Sequence, residues 1–220
     1  MKLEKNYELI GYSATDVKLH LNKIYKMNDR KLNLIIGWIC FLISFIVYYL
    51  TAEPTVGFWD TGEYILTSSK LEVGHPPGAP LFQMLGAFFS VFASEPAQIG
   101  LVLNMMSAAA SAFTILFMFW SLTNIIKRFV IKNESPKGSN EILVLGAAAV
   151  GALSYTFSDS FWFNAVEAEV YAMAMFITSV IFWLGLKWEA EMNKPRGDRW
   201  LVLIAFLIGL SFGVHFMFVS

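Results

Sequence analysis

The sequence predicts an all-α integral membrane protein, with about five transmembrane helices and one shorter interfacial or re-entrant helix. Three observations carry this. Of 220 residues, 56% are hydrophobic and only 15% charged, against roughly 45–50% and 25% in soluble domains. Long apolar runs recur along the chain, and Lys and Arg cluster in alternate gaps between them. Lipid offers backbone N–H and C=O groups no partners, so such runs must be helices rather than open strands. A formal net charge of -1 with only short charge blocks excludes a basic nucleic-acid-binding surface. The single cysteine, Cys40, excludes an internal disulfide and a cysteine metal cluster.

Residues 1–31 are polar and lysine-rich, with no apolar core before a small-residue cleavage site, so they read as a cytoplasmic segment rather than a signal peptide. Within them, residues 7–27 are amphiphilic enough to lie on a membrane surface or to form a tail. Residues 32–52 form the first span, 21 positions without a charge, enough helix to cross about 30 Å of hydrocarbon. Residues 53–98 form a loop, whose apolar stretch 80–93 is too short for a crossing and fits an interfacial or re-entrant helix. The second span, 99–126, is rich in small residues from Ser107 to Ala112, which let helices approach closely in lipid. Spans at 142–157, 170–188 and 200–219 complete the set. The chain stops in Gly-Val-His215-Phe-Met-Phe-Val-Ser220 with no polar flank, as expected for the front part of a longer protein.

Orientation follows from the 16 Lys and Arg residues. Seven precede the first span, four lie between the second and third, and four between the fourth and fifth. Only Lys70 falls on the other side. The basic side is cytoplasmic by the positive-inside rule, so the N-terminus is inside and the 53–98 loop outside. The acids Glu53, Asp60, Glu63, Glu72, Glu95, Asp159, Glu167 and Glu169 then lie on the outer face or at its membrane boundary.

The loop sequence Phe58-Trp59-Asp60-Thr-Gly-Glu63-Tyr64 sets two carboxylates three residues apart, on one face if 59–69 is helical. Beside Trp59 and Tyr64 they sit at headgroup level, where partial dryness raises carboxyl pKa values and suits acid or base work. The same spacing resembles a capping box, with Asp60 as cap. Gly74-His75-Pro76-Pro77-Gly78 fixes a sharp turn, in which His75 either binds a phosphate or metal or hydrogen-bonds the turn. At the start of the fourth span, Glu167 and Glu169 are costly unless they face a wet cavity or a partner, or cap the helix. On a regular helix they stand about 200° apart, so only one faces the first loop unless the helix starts at or after Glu169. Glu167 and Tyr171, four apart, share a face. His215 is the one titratable group in the last span, buried and hydrogen-bonded or turned to the same cavity. The catalytic candidates are Asp60, Glu63, Glu167 and Glu169. Candidates for substrate contact are Trp59, Tyr64, Lys70, His75, Tyr171 and His215. No dinucleotide, phosphate-loop, zinc-protease or hydrolase-elbow pattern is present.

These blocks, together with Asn104-Met-Met-Ser107, Asn164-Ala-Val-Glu167-Ala-Glu169-Val-Tyr171 and Gly209-Leu-Ser-Phe-Gly213-Val-His215, resemble a bacterial membrane family described as a domain of unknown function, whose animal relative is a protein O-mannosyltransferase. The resemblance covers residues 32–220 in order. It implies the N-terminal part of a GT-C glycosyltransferase bundle in a bacterial inner membrane. Such an enzyme transfers a sugar, with mannose as the candidate, from a polyprenyl-phosphate carrier to an extracytoplasmic hydroxyl, with protein Ser or Thr as the acceptor. The acid of the first outer loop, Asp60 here, is then the general base of an inverting transfer. The leaving phosphate needs a cation, a divalent metal or aligned donors, and the outer side offers Lys70, His75 and His215. The competing reading is a transporter or assembly subunit whose outer acids bind a cation or a partner protein.

Overall fold

The computed structural model describes residues 14–130 and 138–215, and every described element is helical. The lysines and C-terminal residues that fall at 1–13, 131–137 and 216–220 lie outside the described residues, as does part of the amphiphilic 7–27 stretch. In chain order the elements are α1 (Ala14–Thr51), α2 (Thr61–Lys70), α3 (Pro80–Ser90), a 3₁₀ turn (Pro96–Gln98), α4 (Ile99–Val130), α5 (Gly138–Thr156), α6 (Asp159–Ala165), α7 (Val170–Glu191) and α8 (Arg199–Ser211). Residues 1–36 and 37–220 form separate units, and every candidate site residue belongs to the second.

Among the described residues, three helical stretches are long and apolar enough to cross a membrane: Arg30–Thr51, Pro96–Val130 and Val170–Glu191. They become four if α5 and α6, bent by 68° at their junction, count as one broken span. Such a break needs side-chain partners for the freed backbone groups. Tyr48 O–H donates to the Thr156 carbonyl at 3.0 Å, and the Ser44 and Thr156 hydroxyls meet at 2.8 Å. Trp162 Nε1 donates to Thr51 Oγ1 at 2.9 Å, tying α6 to the end of α1.

α4 packs against both α5 and α7. Its small residues Ser107, Ala108, Ala110, Ser111 and Ala112 are buried, so close helix approach is the use the fold makes of them.

Within the expected span at 200–219, α8 has 13 residues and ends at Ser211, while positions 216–219 lie outside the described residues. A long-range contact holds the turn that follows. The N–H groups of Leu81 and Phe82, orphaned in the first turn of α3, donate to the Gly213 carbonyl at 2.7 and 3.4 Å, satisfying donors the helix cannot. A Cβ at Gly213 would stand 2.9 Å from that of Leu81, so only glycine lets the two segments meet this closely. α3 is thereby seated on the 211–215 turn, and Tyr64, Phe82, Val170 and Val214 share one apolar cluster.

Candidate active site

The polypeptide leaving α1 is pinned before it reaches α2. Asn104 Nδ2 donates to the carbonyls of Glu53 and Thr55 at 2.7 and 3.3 Å, and Glu53 N–H donates to the Val166 carbonyl at 3.1 Å. Gly100 permits this, because a Cβ there would lie 2.5 Å from the Thr55 carbonyl oxygen. These bonds set residues 53–60 beside 166–169, more than a hundred positions away in sequence.

Two groups of titratable side chains result, one on each side of the first turn of α2. The exposed group is Asp60, Glu63 and His75. His75 N–H donates to Glu63 Oε1 at 2.6 Å, and the ring Nδ1 lies 3.1 Å from Glu63 Oε2. His75 Nε2 stands 3.9 Å from Asp60 Oδ2. The His75 backbone N–H, then its ring, holds the Glu63 carboxyl below its usual range. Reciprocally, the hydrogen bond that the ring donates to Glu63 raises His75, with the charges of Glu63, Asp60 and Glu169 adding. Against an ionised Glu63 the Nδ1 atom carries hydrogen, which leaves Nε2 directed at Asp60. The donor atoms of the three residues lie within 4.8 Å of one another, a spacing that would also admit a cation, although both Glu63 oxygens are already used by His75.

The buried group is Glu167 and Glu169, each 5% exposed, around the fully buried Thr61. Thr61 Oγ1 reaches Glu167 Oε2 at 3.4 Å and Glu169 Oε1 at 3.3 Å. One hydroxyl proton serves one acceptor well, so Thr61 alone does not satisfy both carboxyls. Burial pushes Glu169 up to about 7, with the charges of Asp60 and Glu167 adding, against the opposing effect of Thr61 and the Asp60 backbone. Burial raises Glu167 as well, against the Phe58 backbone and Thr61. Gly57 lies against this acid: a Cβ there would be 2.5 Å from the Glu167 carboxyl carbon. Tyr64, pushed up to about 12 mainly by burial and then by the surrounding acids, keeps its proton. Its ring lies 6.1 Å from that of His75 and 5.3 Å from that of Phe82.

Neither acid caps its helix in the expected way. Asp60 occupies the N-cap of α2 and Glu169 that of α7, yet neither side chain bonds its own helix end. Glu63 turns to His75 instead of back to Asp60, so no capping box forms. Because α7 starts only at Val170, Glu167 and Glu169 escape the 200° separation of a regular helix and converge on Thr61. For the same reason Glu167 and Tyr171 are not related as helix neighbours, and their expected shared face does not exist. Tyr171 instead meets His215, with ring centroids 5.3 Å apart. Trp59 is 86% exposed at φ 57°. Lys70 is exposed in the last turn of α2, about 14 Å of helical rise from Thr61, and so does not belong to the acidic groups. Sequence reasoning missed Thr61 and Gly57. Their only signal is position, immediately after Asp60 and one residue before the Phe58-Trp59 pair.

Fold and site define an all-α membrane chain whose α1–α2 loop gathers acids from two distant segments. Residues 60–220 match the family described as the protein O-mannosyl-transferase TMEM260 N-terminal domain, and the chain belongs to that family. A protein O-mannosyl-transferase tmem260 of Dictyostelium discoideum is 26% identical over 161 residues, covering 73% of this chain and 18% of the relative. The protein O-mannosyl-transferase TMEM260 of Mus musculus is 24% identical over 168 residues, covering 75% and 21%. The chain thus spans about a fifth of the length of these curated relatives. No solved structure matches it.

Proposed function

We propose that this chain is the N-terminal part of an integral membrane glycosyltransferase of protein O-mannosylation, taking its sugar from a polyprenyl-phosphate carrier. The acceptor is an extracytoplasmic Ser or Thr hydroxyl, with the 53–98 loop on the extracytoplasmic side in keeping with the lysine and arginine distribution. The observation that carries the reading is the gathering of Asp60, Glu63 and His75 against Glu167 and Glu169 at the start of α2. The names of the matched relatives supply the reaction class.

Asp60 is the general base. Its side chain is 58% exposed, reachable by a hydroxyl from another polypeptide. As the acceptor oxygen bonds the anomeric carbon, its proton passes to Asp60, the bond from that carbon to the phosphate oxygen breaks, and the electron pair leaves on the carrier phosphate. A positioned base contributes typically 10²–10⁴-fold. The test is sugar transfer to an acceptor peptide by the complete protein in membranes. Asp60→Asn is expected to lower kcat by about 10²-fold or more at wild-type abundance. Unchanged turnover would remove Asp60 from the base role.

A further inference from the structure

Resting on the glycosyl-transfer reading, we propose that His75, gripped by Glu63, seats the acceptor hydroxyl beside Asp60 and does not bind the donor phosphate. Glu63 is the positioning residue of this arrangement.

Distances decide the matter. In an inverting displacement the group that takes the proton and the group that meets the leaving oxygen flank the sugar on opposite faces. Two such groups stand roughly 6.5–9.5 Å apart when the nucleophile must fit between one of them and the sugar. His75 Nε2 and Asp60 Oδ2 are 3.9 Å apart, too close to straddle a sugar ring. Both therefore stand on the acceptor side.

That gap fits something smaller. An oxygen about 2.8 Å from each atom spans 3.9 Å with an angle near a right angle, within hydrogen-bond reach of both. In the charged form that Glu63 favours, His75 carries hydrogen on Nε2 as well as Nδ1. A hydroxyl held in the gap points its proton at Asp60 while one lone pair accepts from His75 Nε2–H. Its other lone pair is left for the anomeric carbon. Both groups are partly open, His75 44% and Asp60 58% exposed at the side chain, so a hydroxyl from another chain has access.

Holding a histidine at such a place requires a clamp, and Glu63 provides two contacts, one to the backbone and one to the ring. Gly74 makes room, since a Cβ there would lie 3.1 Å from Glu63 Oε1 and 2.8 Å from Gln83 Nε2. Gln83 is in turn fixed by donating to Thr67 Oγ1 at 3.0 Å. Tyr64 packs beside the imidazole ring. The ring's orientation is thus set by its surroundings before any substrate arrives, which is the requirement for positioning.

The test separates the two substrates. With the complete protein in membranes, transfer is measured while acceptor peptide and polyprenyl-phosphate mannose are varied in turn. His75→Ala is expected to raise the acceptor KM about tenfold, the size of one lost hydrogen bond at a reacting atom, with the donor KM within about twofold. His75→Gln, whose amide can donate from near the Nε2 position, recovers much of this, and Glu63→Gln falls between. The unchanged donor KM doubles as evidence that the variants fold. A raised donor KM with an unchanged acceptor KM would assign His75 to the phosphate and overturn the proposal. So would transfer abolished by a chelator and restored by manganese, which would make the three side chains a cation site. Absence of transfer by the wild-type protein would instead overturn the glycosyl-transfer reading itself.

Discussion

The exposed trio and the buried pair use the same chemistry to opposite ends. Asp60, Glu63 and His75 mix signs in the open: the histidine lowers Glu63 and Glu63 raises the histidine, so each favours the other's charged form. Glu167 and Glu169 are like groups in a dry place with one shared hydroxyl, and their carboxyls move up, Glu169 to about 7. Thr61 and the Asp60 backbone connect the two. Environment, not residue type, decides the direction in which each of these carboxyls moves, down for Glu63 and up for Glu167 and Glu169. On the glycosyl-transfer reading, the exposed trio does the chemistry. The buried pair is an anchor that joins the loop before α2 to the start of α7, through the hydroxyl of Thr61.

The most severe way to break this contrast is to push the pair out of its site. Gly57→Ala drives a methyl group into the Glu167 carboxyl, with 2.5 Å available. Overpacking of a tight site costs about 1–3 kcal/mol, the larger figure applying if the Glu167 carboxyl is held in place. Thermal unfolding in detergent is expected to show the loss. Wild-type stability would mean that Glu167 can swing aside, and that the anchor is not tight.

A pH experiment sharpens the contrast. Glu169 has a folded pKa above its unfolded value, so folding is favoured where the group is protonated and loses that favour as pH rises toward about 7. The wild-type protein is therefore expected to lose on the order of 2 kcal/mol between about pH 4.5 and pH 7.5 from this group. Glu169→Gln keeps the shape and cannot ionise. Its stability is expected to be flatter over that window, and at about pH 8 the variant melts above wild type. Equal slopes for the two proteins would place the carboxyl in water and end the buried-pair description.

Much of this was legible from sequence where the signal is local. The apolar runs of α1, α4 and α7 announce themselves by length alone, and Asp60, Glu63 and His75 stand out as chemically active side chains in a turn-rich loop. The convergence of Glu167 and Glu169 depended on where α7 begins, and sequence could state that condition without deciding it. What stayed hidden was pairwise and distant. The Leu81 and Phe82 N–H groups take the Gly213 carbonyl, and nothing near Gly213 says so. Neither Thr61 nor Gly57 carries a local sign of its place in the site. Their partners lie beyond position 166, where no periodicity reaches.

The smallest test concerns the hydroxyl between the two groups. Thr61→Val preserves shape and removes the donor shared by Glu167 and Glu169. A single neutral hydrogen bond contributes about 1 kcal/mol, and one to a charged acceptor roughly 1.5–3 kcal/mol. If the pair is proton-loaded at low pH, the two carboxyls can donate to each other or to the backbone, and the substitution is expected to cost about 1 kcal/mol or less at about pH 5. Above about pH 7, where Glu169 ionises, Thr61 becomes the main donor to an anion and the cost rises. Unfolding measured at both pH values in Thr61→Val and in the Thr61→Val, Glu169→Gln double variant isolates the coupling. A penalty that is the same at both pH values, or that survives unchanged in the double variant, would show that Thr61 packs the junction without serving the acids. The exposed trio would then stand without its buried counterpart.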